Sequence, residues 1–208
     1  MAIRDDREYR NLGTFEIRSE EADDQPEDLH ARGYASTFEE YKLMTIDGED
    51  FFERIDPHAF DEADLSDVIF LRDHTGPVLA RTKNGAVNLT VDEHGLHSDV
   101  DLSLTEAARA MLEDIRVGNY TQMSFSFVVP DGGDHMEGNT RVIDRFSKIY
   151  DISAVAFPAN PYTEIGLSAR SLFDGVIEQR QAERLAAEQR ERDRARLALR
   201  LKLLKGGH

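Results

Sequence analysis

The sequence QMSFSF at residues 122–127 predicts a β-strand with two chemically different faces, because its side chains alternate with period two. One face carries a methionine and two phenylalanines, and the other carries Ser124, Ser126 and then Val128. Small residues on a strand either make room for a packed helix or face water. Serine is usually exposed, and it is a poor nucleophile unless a base lies within hydrogen-bond reach. Taken alone, the pattern favours a solvent-facing surface over a nucleophilic serine.

The stretch before this strand predicts the best-defined helix of the chain. Ser103 and Glu106 have the spacing of a capping box, in which each side chain satisfies a free amide of the other residue. Gly118 is a suitable residue for the C-terminal stop. Helical spacing puts five apolar side chains on one face: Leu104, Ala108, Met111, Leu112 and Ile115.

Several other segments have the pattern of strands. Residues 31–38 alternate, and Val68–Leu71 form a short apolar run that ends at Asp73 and His74. Residues 87–102 have the pattern of a hairpin that turns at Asp-Glu-His-Gly, and residues 140–157 predict two further strands.

Three segments have the composition of turns or short connections. Asp47 and Gly48 are a turn signal, and Pro57 suits the first position of a short helix. Residues 130–139, PDGGDHMEGN, are rich in glycine and predict a hairpin loop.

The bulk composition excludes several classes of protein. The 208 residues have a formal net charge of −16, which argues against a nucleic-acid-binding surface. The absence of cysteine excludes disulfides, thiol nucleophiles and thiolate metal sites. The charged N-terminus does not resemble a signal peptide, and no apolar run approaches the length of a membrane span. We therefore expect an intracellular protein with neither nucleic acid nor membrane as a partner.

The chain is predicted to have three parts. Residues 1–29 form an N-terminal strand and an acidic flexible segment, residues 30–168 form the main domain, and residues 169–208 form a charged helical tail. The charge supports the last boundary, since residues 1–170 carry 16 basic and 35 acidic side chains, whereas residues 171–208 carry nine and six. The expected fold class is α+β, with a barrel-like main domain.

His74 and Asp151 are the other two candidates for chemistry. His74 follows an apolar strand beside Asp73 and a Gly-Pro turn, and a histidine at a strand end can act as a general base in a cleft. The alternative is a surface histidine that stabilises a turn. Asp151 lies in an apolar strand, where it is either on an exposed edge, in a structural ion pair, or a partner that orients a histidine.

Metal and nucleotide chemistry have little support in the sequence. His94 and His97 fall in the predicted hairpin connection, without a cysteine or a helical HExxH spacing. No glycine-rich phosphate loop is present. The sequence therefore predicts no cofactor and no metal.

Three stretches in this order, IFLRDHTGPVLAR, GNYTQMSFSF and IYDISAVAFPANPYTEI, resemble the prohead proteases of tailed bacteriophages. RGYASTFEEY and ERIDPHAF are similar to the first strand of that family and the segment after it. The resemblance covers about residues 30–168. It implies a serine peptidase of capsid maturation with a fold similar to herpesvirus assemblin, a mostly antiparallel β-barrel surrounded by helices.

The resemblance implies a role for each candidate residue. His74 matches the family histidine and would be the general base, and Ser124 matches the serine of the family strand and would be the nucleophile. Asp151 falls where the family has an acid and would support His74, although an aspartate is shorter than the more usual glutamate. Ser126, where many members have glycine, is a neighbouring decoy for Ser124, and Arg81 is a candidate contributor to the oxyanion hole.

The resemblance also implies partners and a location. The expected substrate is the major capsid protein precursor or a scaffold region, together with the protease itself. The expected assembly is a homodimer or a higher oligomer inside assembling proheads in the host cytoplasm. Two alternatives remain at this point: a non-catalytic capsid-assembly scaffold protein with the same fold, and a metal-dependent hydrolase.

Overall fold

The computed structural model describes residues 7–16, 28–156 and 173–205, with side chains described as far as residue 197. The chain divides into two compact units, residues 1–165 and 166–208, and each is described by itself. Most of the acidic stretch predicted to be flexible, as well as the segment PANP, lies outside the described residues.

The first unit is built from short strands and one α-helix within the described residues. A 3₁₀ turn, Thr82–Asn84, lies between the sixth and seventh strands, and helix α1 spans Glu106–Arg116. The strands are β1 Glu8–Thr14, β2 His30–Thr37, β3 Tyr41–Ile46, β4 Glu49–Ile55, β5 Ile69–Arg72, β6 Thr75–Arg81, β7 Val87–Val91, β8 Gly95–Asp101, β9 Gln122–Val128, β10 Asp134–Glu137, β11 Thr140–Ile143 and β12 Lys148–Val155.

These strands form three sheets, with the orders β1-β9-β12-β5-β6, β10-β11-β4-β3 and β2-β8-β7. The pairings are antiparallel except for β12 with β5 and β11 with β4. The α+β class is therefore confirmed. The strand pairings of the described residues do not close into a barrel, since each sheet ends in two edge strands, so the predicted barrel stays unconfirmed.

Strand β9 lies inside the first sheet and is buried on both faces. The face with Phe125 and Phe127 contributes to the core, where Phe146 contacts both rings at centroid distances of 6.0 and 4.8 Å. On the other face, Ser124 is 1 % exposed and Ser126 is 0 % exposed. The solvent-facing interpretation of the two serines is therefore wrong.

Helix α1 begins later than the sequence pattern predicts. Thr105 is the N-cap residue, and its hydroxyl accepts a hydrogen bond from the Ala108 amide at 3.1 Å. Ser103 lies in the turn before the helix, where its amide donates to Asp101 Oδ1 at 2.8 Å. The predicted capping box at Ser103 is thus wrong, because Asp101 starts the turn that precedes the helix. Leu104 consequently lies outside the helix and is 55 % exposed.

The rest of the helix prediction holds. The other four apolar side chains of the predicted face are buried, namely Ala108, Met111, Leu112 and Ile115. Gly118 follows the C-terminal turn with a φ of +81°, a conformation that favours glycine.

Two of the three predicted connections differ from the structure. Asp47 and Gly48 do form the β3–β4 turn, with φ values of 52° and 83°. The segment after Pro57 forms hydrogen-bonded turns rather than a short helix. Strand β10 lies within the predicted loop 130–139 and pairs with β11, so the tight turn is confined to Gly138 and Asn139. The sequence pattern did not indicate this strand, because its side chains are mostly polar and glycines lie on both sides of it.

A buried ion cluster joins the first sheet to the second. Glu53 on β4 is fully buried and accepts hydrogen bonds from Arg10 on β1 at 2.7 Å and from Arg141 on β11 at 2.8 Å. Tyr41 also donates to Glu53, and Glu8 accepts from both arginines. Burial alone raises the pKa of Glu53, but these arginines and Tyr41 outweigh it and hold that pKa below its ordinary value. The N-terminal strand β1 is therefore an integral part of the fold.

The second unit contains helix α2, which spans Asp174–Lys205 and confirms the predicted helical tail. The side chains described after Ile177 are almost all exposed, and Glu188 forms an i,i+4 ion pair with Arg192 at 3.5 Å. Most of the leucine-rich end lies beyond the described side chains. Neither this helix nor α1 has an apolar stretch long enough to cross a membrane.

Candidate active site

The three candidate residues, which are far apart in the sequence, come together in one hydrogen-bonded chain. His74 Nε2 lies 2.6 Å from Ser124 Oγ, and His74 Nδ1 lies 2.5 Å from Asp151 Oδ1. The His74 side chain is 18 % exposed, and the Asp151 side chain is 5 % exposed. A serine, a histidine and a carboxylate are thus connected through the two nitrogens of one imidazole, which is the arrangement that acyl transfer by a serine requires.

Strand register brings the polar groups to one face of the first sheet. In the antiparallel pair of β9 with β12, Ser124 lies opposite Ser153, and Ser126 lies opposite Asp151. Directly opposite residues project to the same face. The face opposite the aromatic core therefore holds a square of four polar side chains, three of them serines.

His74 reaches this square because it lies in the tight turn of the β5–β6 hairpin. Arg72 and Thr75 are paired, so Asp73 and His74 form a two-residue turn, with φ values of 47° and 56°. Two successive positive φ values are typical of the I′ turn, which matches the twist of a hairpin. The expected Gly-Pro turn is wrong, because both of its residues lie within β6 at the edge of the sheet.

The strand pairing of β12 holds this unusual turn in place. The Asp73 amide donates to the Ala154 carbonyl at 3.0 Å, and the His74 amide donates to Ser153 Oγ at 3.2 Å. Positive φ at a residue other than glycine costs about 1–3 kcal/mol and persists where the surroundings over-determine it. The backbone of His74 is therefore fixed against the strand that carries Asp151.

Asp151 is buried, but it has enough donors to remain ionised. Its carboxylate accepts from His74 Nδ1, from Ser153 Oγ at 2.9 Å and from Ser126 Oγ. Burial alone raises the pKa of Asp151, yet the hydrogen bond and charge of His74, with those two hydroxyls, hold that pKa below its ordinary value. An ionised carboxylate accepts hydrogen bonds only, so it fixes the proton of His74 on Nδ1.

Ser124 and Ser126 share a strand face but have different partners. Ser124 Oγ lies against His74 Nε2, whereas Ser126 Oγ donates to Asp151 Oδ2. With Nδ1 protonated, Nε2 is an acceptor and can take the proton of the Ser124 hydroxyl. The geometry thus gives a base to Ser124 and a structural partner to Ser126.

Two residues at the site were not found from the sequence. Ser153 follows Asp151 by two positions, so strand periodicity alone could have placed both on one face. Tyr9 on β1 packs the edge of its ring against the His74 imidazole, with centroids 4.7 Å apart and an interplanar angle of 71°. No local signal in the sequence could have indicated this contact, since Tyr9 and the turn that carries His74 are far apart in the chain.

Arg81, the suggested oxyanion contributor, is not at the site. It lies opposite Ile69, at the end of the β5–β6 hairpin away from His74, and it forms a bidentate pair with Asp67 at 2.5 and 2.7 Å. The suggestion is therefore wrong, because its guanidinium is committed to a carboxylate elsewhere.

The two candidate metal-binding histidines, His94 and His97, belong to a surface cluster instead. Both rings lie near the ring of Tyr34, at centroid distances of 5.9 and 5.1 Å. Among the residues that the structure describes, no group of three or more histidine, aspartate and glutamate side chains is arranged to hold a metal ion.

Comparison with protein families gives a match to the caudovirus prohead serine protease family over residues 14–175. Comparison with curated proteins and with solved structures gives no significant match. The matched range contains His74, Ser124 and Asp151, together with all of the strands that position them except most of β1. Since this range covers most of the sequence, the chain belongs to the caudovirus prohead serine protease family.

Proposed function

We propose that this protein is a serine endopeptidase that cleaves the capsid precursor or scaffold protein as a phage prohead matures. Membership of a family of prohead serine proteases supports a peptidase that acts in capsid maturation. The hydrogen-bonded chain Ser124–His74–Asp151 is the observation on which the assignment of residues rests.

The proposed reaction is acyl transfer in two steps. His74 Nε2 takes the hydroxyl proton of Ser124, whose oxygen attacks the peptide carbonyl carbon and forms the acyl-enzyme as the C–N bond breaks. The imidazolium gives the same proton to the leaving amine. In the second step, His74 removes a proton from water and the resulting hydroxide attacks the ester carbonyl carbon. The C–O bond to Ser124 Oγ then breaks, the carboxylic acid product leaves, and the proton returns to Ser124.

Asp151 has a supporting role in this proposal. Its negative charge stabilises the imidazolium that forms in each step, and its hydrogen bond to Nδ1 keeps Nε2 available as the base. It stays ionised throughout, because its donors favour the charged form.

The proposed substrates and setting follow from the same family. The enzyme would cleave the precursor of the major capsid protein or a scaffold region, and also itself, inside proheads that assemble in the host cytoplasm. We propose a homodimer or a higher assembly as the working state.

The test is incubation of the purified protein with the capsid precursor of its own phage. Wild type is expected to cleave the precursor, whereas Ser124→Ala and His74→Ala are expected to lose cleavage with an unchanged far-UV circular dichroism spectrum. Cleavage by Ser124→Ala, with none by Ser126→Ala, would show that the nucleophile is misassigned. No cleavage by wild type in a prohead that contains the precursor would favour the non-catalytic scaffold protein.

A further inference from the structure

The carboxylate of Asp151 is held by two buried serines that lie beside the Ser124–His74–Asp151 chain. Ser126 on β9 donates to Oδ2, and Ser153 on β12 donates to Oδ1. Both serines are 0 % exposed. We propose that Ser126 and Ser153 are positioning residues, which fix the carboxylate in the orientation that His74 requires. This inference rests on the proposed function of the site.

The single hydroxyl proton of Ser153 determines which group it donates to. A hydroxyl has one proton to donate and two lone pairs to accept with. Ser153 Oγ accepts from the His74 amide at 3.2 Å and also lies 3.2 Å from the protonated His74 Nδ1. It lies 2.9 Å from Asp151 Oδ1, which can only accept. Its proton must therefore be directed to the carboxylate. Ser153 thus connects the backbone of His74 to the Asp151 carboxylate, which also accepts a hydrogen bond from the His74 side chain.

Ser126 holds the other oxygen of the same carboxylate. It lies directly opposite Asp151 in the antiparallel β9–β12 pair, so its hydroxyl and that carboxylate meet on one sheet face. Without this donor, Oδ2 would lack its hydrogen bond from β9. The loss of a donor to a buried charged group costs free energy. Rotation of the carboxylate toward another donor would then weaken its bond to His74.

The two serines act on the acid through separate oxygens. Ser126 stabilises the oxygen that His74 does not contact, whereas Ser153 shares Oδ1 with Nδ1 of the imidazole. Loss of either hydroxyl is therefore expected to disturb the orientation of the imidazole, while leaving the nucleophile and the base chemically intact.

The experiment compares Ser126→Ala and Ser153→Ala with wild type on a peptide that contains a cleavage site of the capsid precursor. We expect kcat to fall about tenfold or more in each variant with little change in KM, since a hydrogen bond to a charged group is lost. Ser126→Thr and Ser153→Thr keep a hydroxyl, and we expect at least one of them to recover most of the lost rate.

A matched control removes a buried hydroxyl elsewhere. Ser98 on β8 is also 0 % exposed, and its hydroxyl donates to the Gly33 carbonyl at 3.1 Å. Ser98→Ala is expected to lose stability comparable to that of the two test variants but to keep the wild-type kcat. Equal losses of kcat in all three variants would overturn the inference, because they would reflect stability alone.

A measurement in the inactive Ser124→Ala variant tests the positioning role independently of the proposed peptidase activity. The downfield proton resonance of His74 Nδ1–H reports the hydrogen bond to Asp151 without any turnover. We expect it to shift or broaden when Ser126→Ala or Ser153→Ala is added. An unchanged resonance would overturn the positioning role, whatever the activity of the wild-type protein.

Discussion

Asp151 keeps a negative charge in a buried place because three donors surround its carboxylate, namely His74, Ser126 and Ser153. Its pKa in the folded protein lies below the ordinary value, so the unfolded chain binds this proton more readily. The stabilisation from this group is complete above the unfolded-state pKa, which is about 3.9 for aspartate. It is lost as the pH falls through the lower pKa of the folded protein.

This linkage predicts the pH dependence of an Asp151→Asn variant. The difference in the free energy of unfolding between wild type and variant should be largest near neutral pH. It should shrink below about pH 4, where the unfolded chain gains this proton, and should be lost at the lower pH at which the folded protein gains it. Urea unfolding at a series of pH values measures this difference. A difference that stays constant down to the lowest pH would show that the charge of Asp151 contributes nothing to stability.

The sequence carried most of the information about the reacting residues, for physical reasons. His74 directly follows an apolar strand, and Asp151 lies within one. A polar side chain next to or within an apolar strand needs a partner, and this requirement singles out both residues. Strand periodicity alone could not distinguish Ser124 from Ser126, because both lie on the same face with identical side chains, and only the resemblance to the family favoured Ser124. In the structure, the register of β9 against β12 separates them, and register depends on contacts between distant segments.

Prediction from sequence succeeded where an element is defined by its own periodicity. The hairpin β7–β8 and strands β5, β9 and β12 follow from local apolar patterns. Strand β10 and the turns after Pro57 were missed, since β10 has few apolar side chains and is defined by its pairing with β11. The start of α1 was predicted too early, because Asp101 rather than Ser103 forms the turn before the helix.

The ion cluster between β1, β4 and β11 predicts a strong effect of one substitution. Glu53→Gln removes the buried charge that faces both Arg10 and Arg141, and breaking such a pair costs about 3–5 kcal/mol. Urea unfolding should show this loss. Glu137→Gln is the matched control, since its pair with Arg54 is exposed, and little change is expected there. Equal stability of the two variants would contradict the role of the cluster.

Strand β1 also places an aromatic side chain against His74. The ring of Tyr9 contacts the His74 imidazole, and an aromatic contact of this kind is worth about 0.5–1.5 kcal/mol. We therefore expect Tyr9→Leu to lower kcat by about 2- to 10-fold, because the aromatic contact with the imidazole is lost. Peptide cleavage assays measure the effect.

The control for this prediction is Tyr34→Leu, because Tyr34 packs against histidines that lie outside the site. Full activity of Tyr9→Leu, or an equal loss in Tyr34→Leu, would show that the contact of β1 with His74 does not matter.

The described residues form a strand-rich, acidic first unit and a long charged helix in the second unit. Helix α2 has few buried side chains of its own, so we expect deletion of residues 174–208 to leave a folded first unit. This truncated protein should unfold cooperatively in urea and should have the β-rich circular dichroism of the parent. Loss of a cooperative transition would show that the helix is required for the fold.

The assignment of Ser124 as a nucleophile that His74 activates can be tested without knowledge of the substrate. The test is labelling with a fluorophosphonate followed by peptide mass spectrometry, because this reagent reacts with an activated serine. We expect one modified residue in wild type, Ser124, and no modification in His74→Ala. Modification of Ser126, or none in a folded wild-type protein, would contradict the assignment.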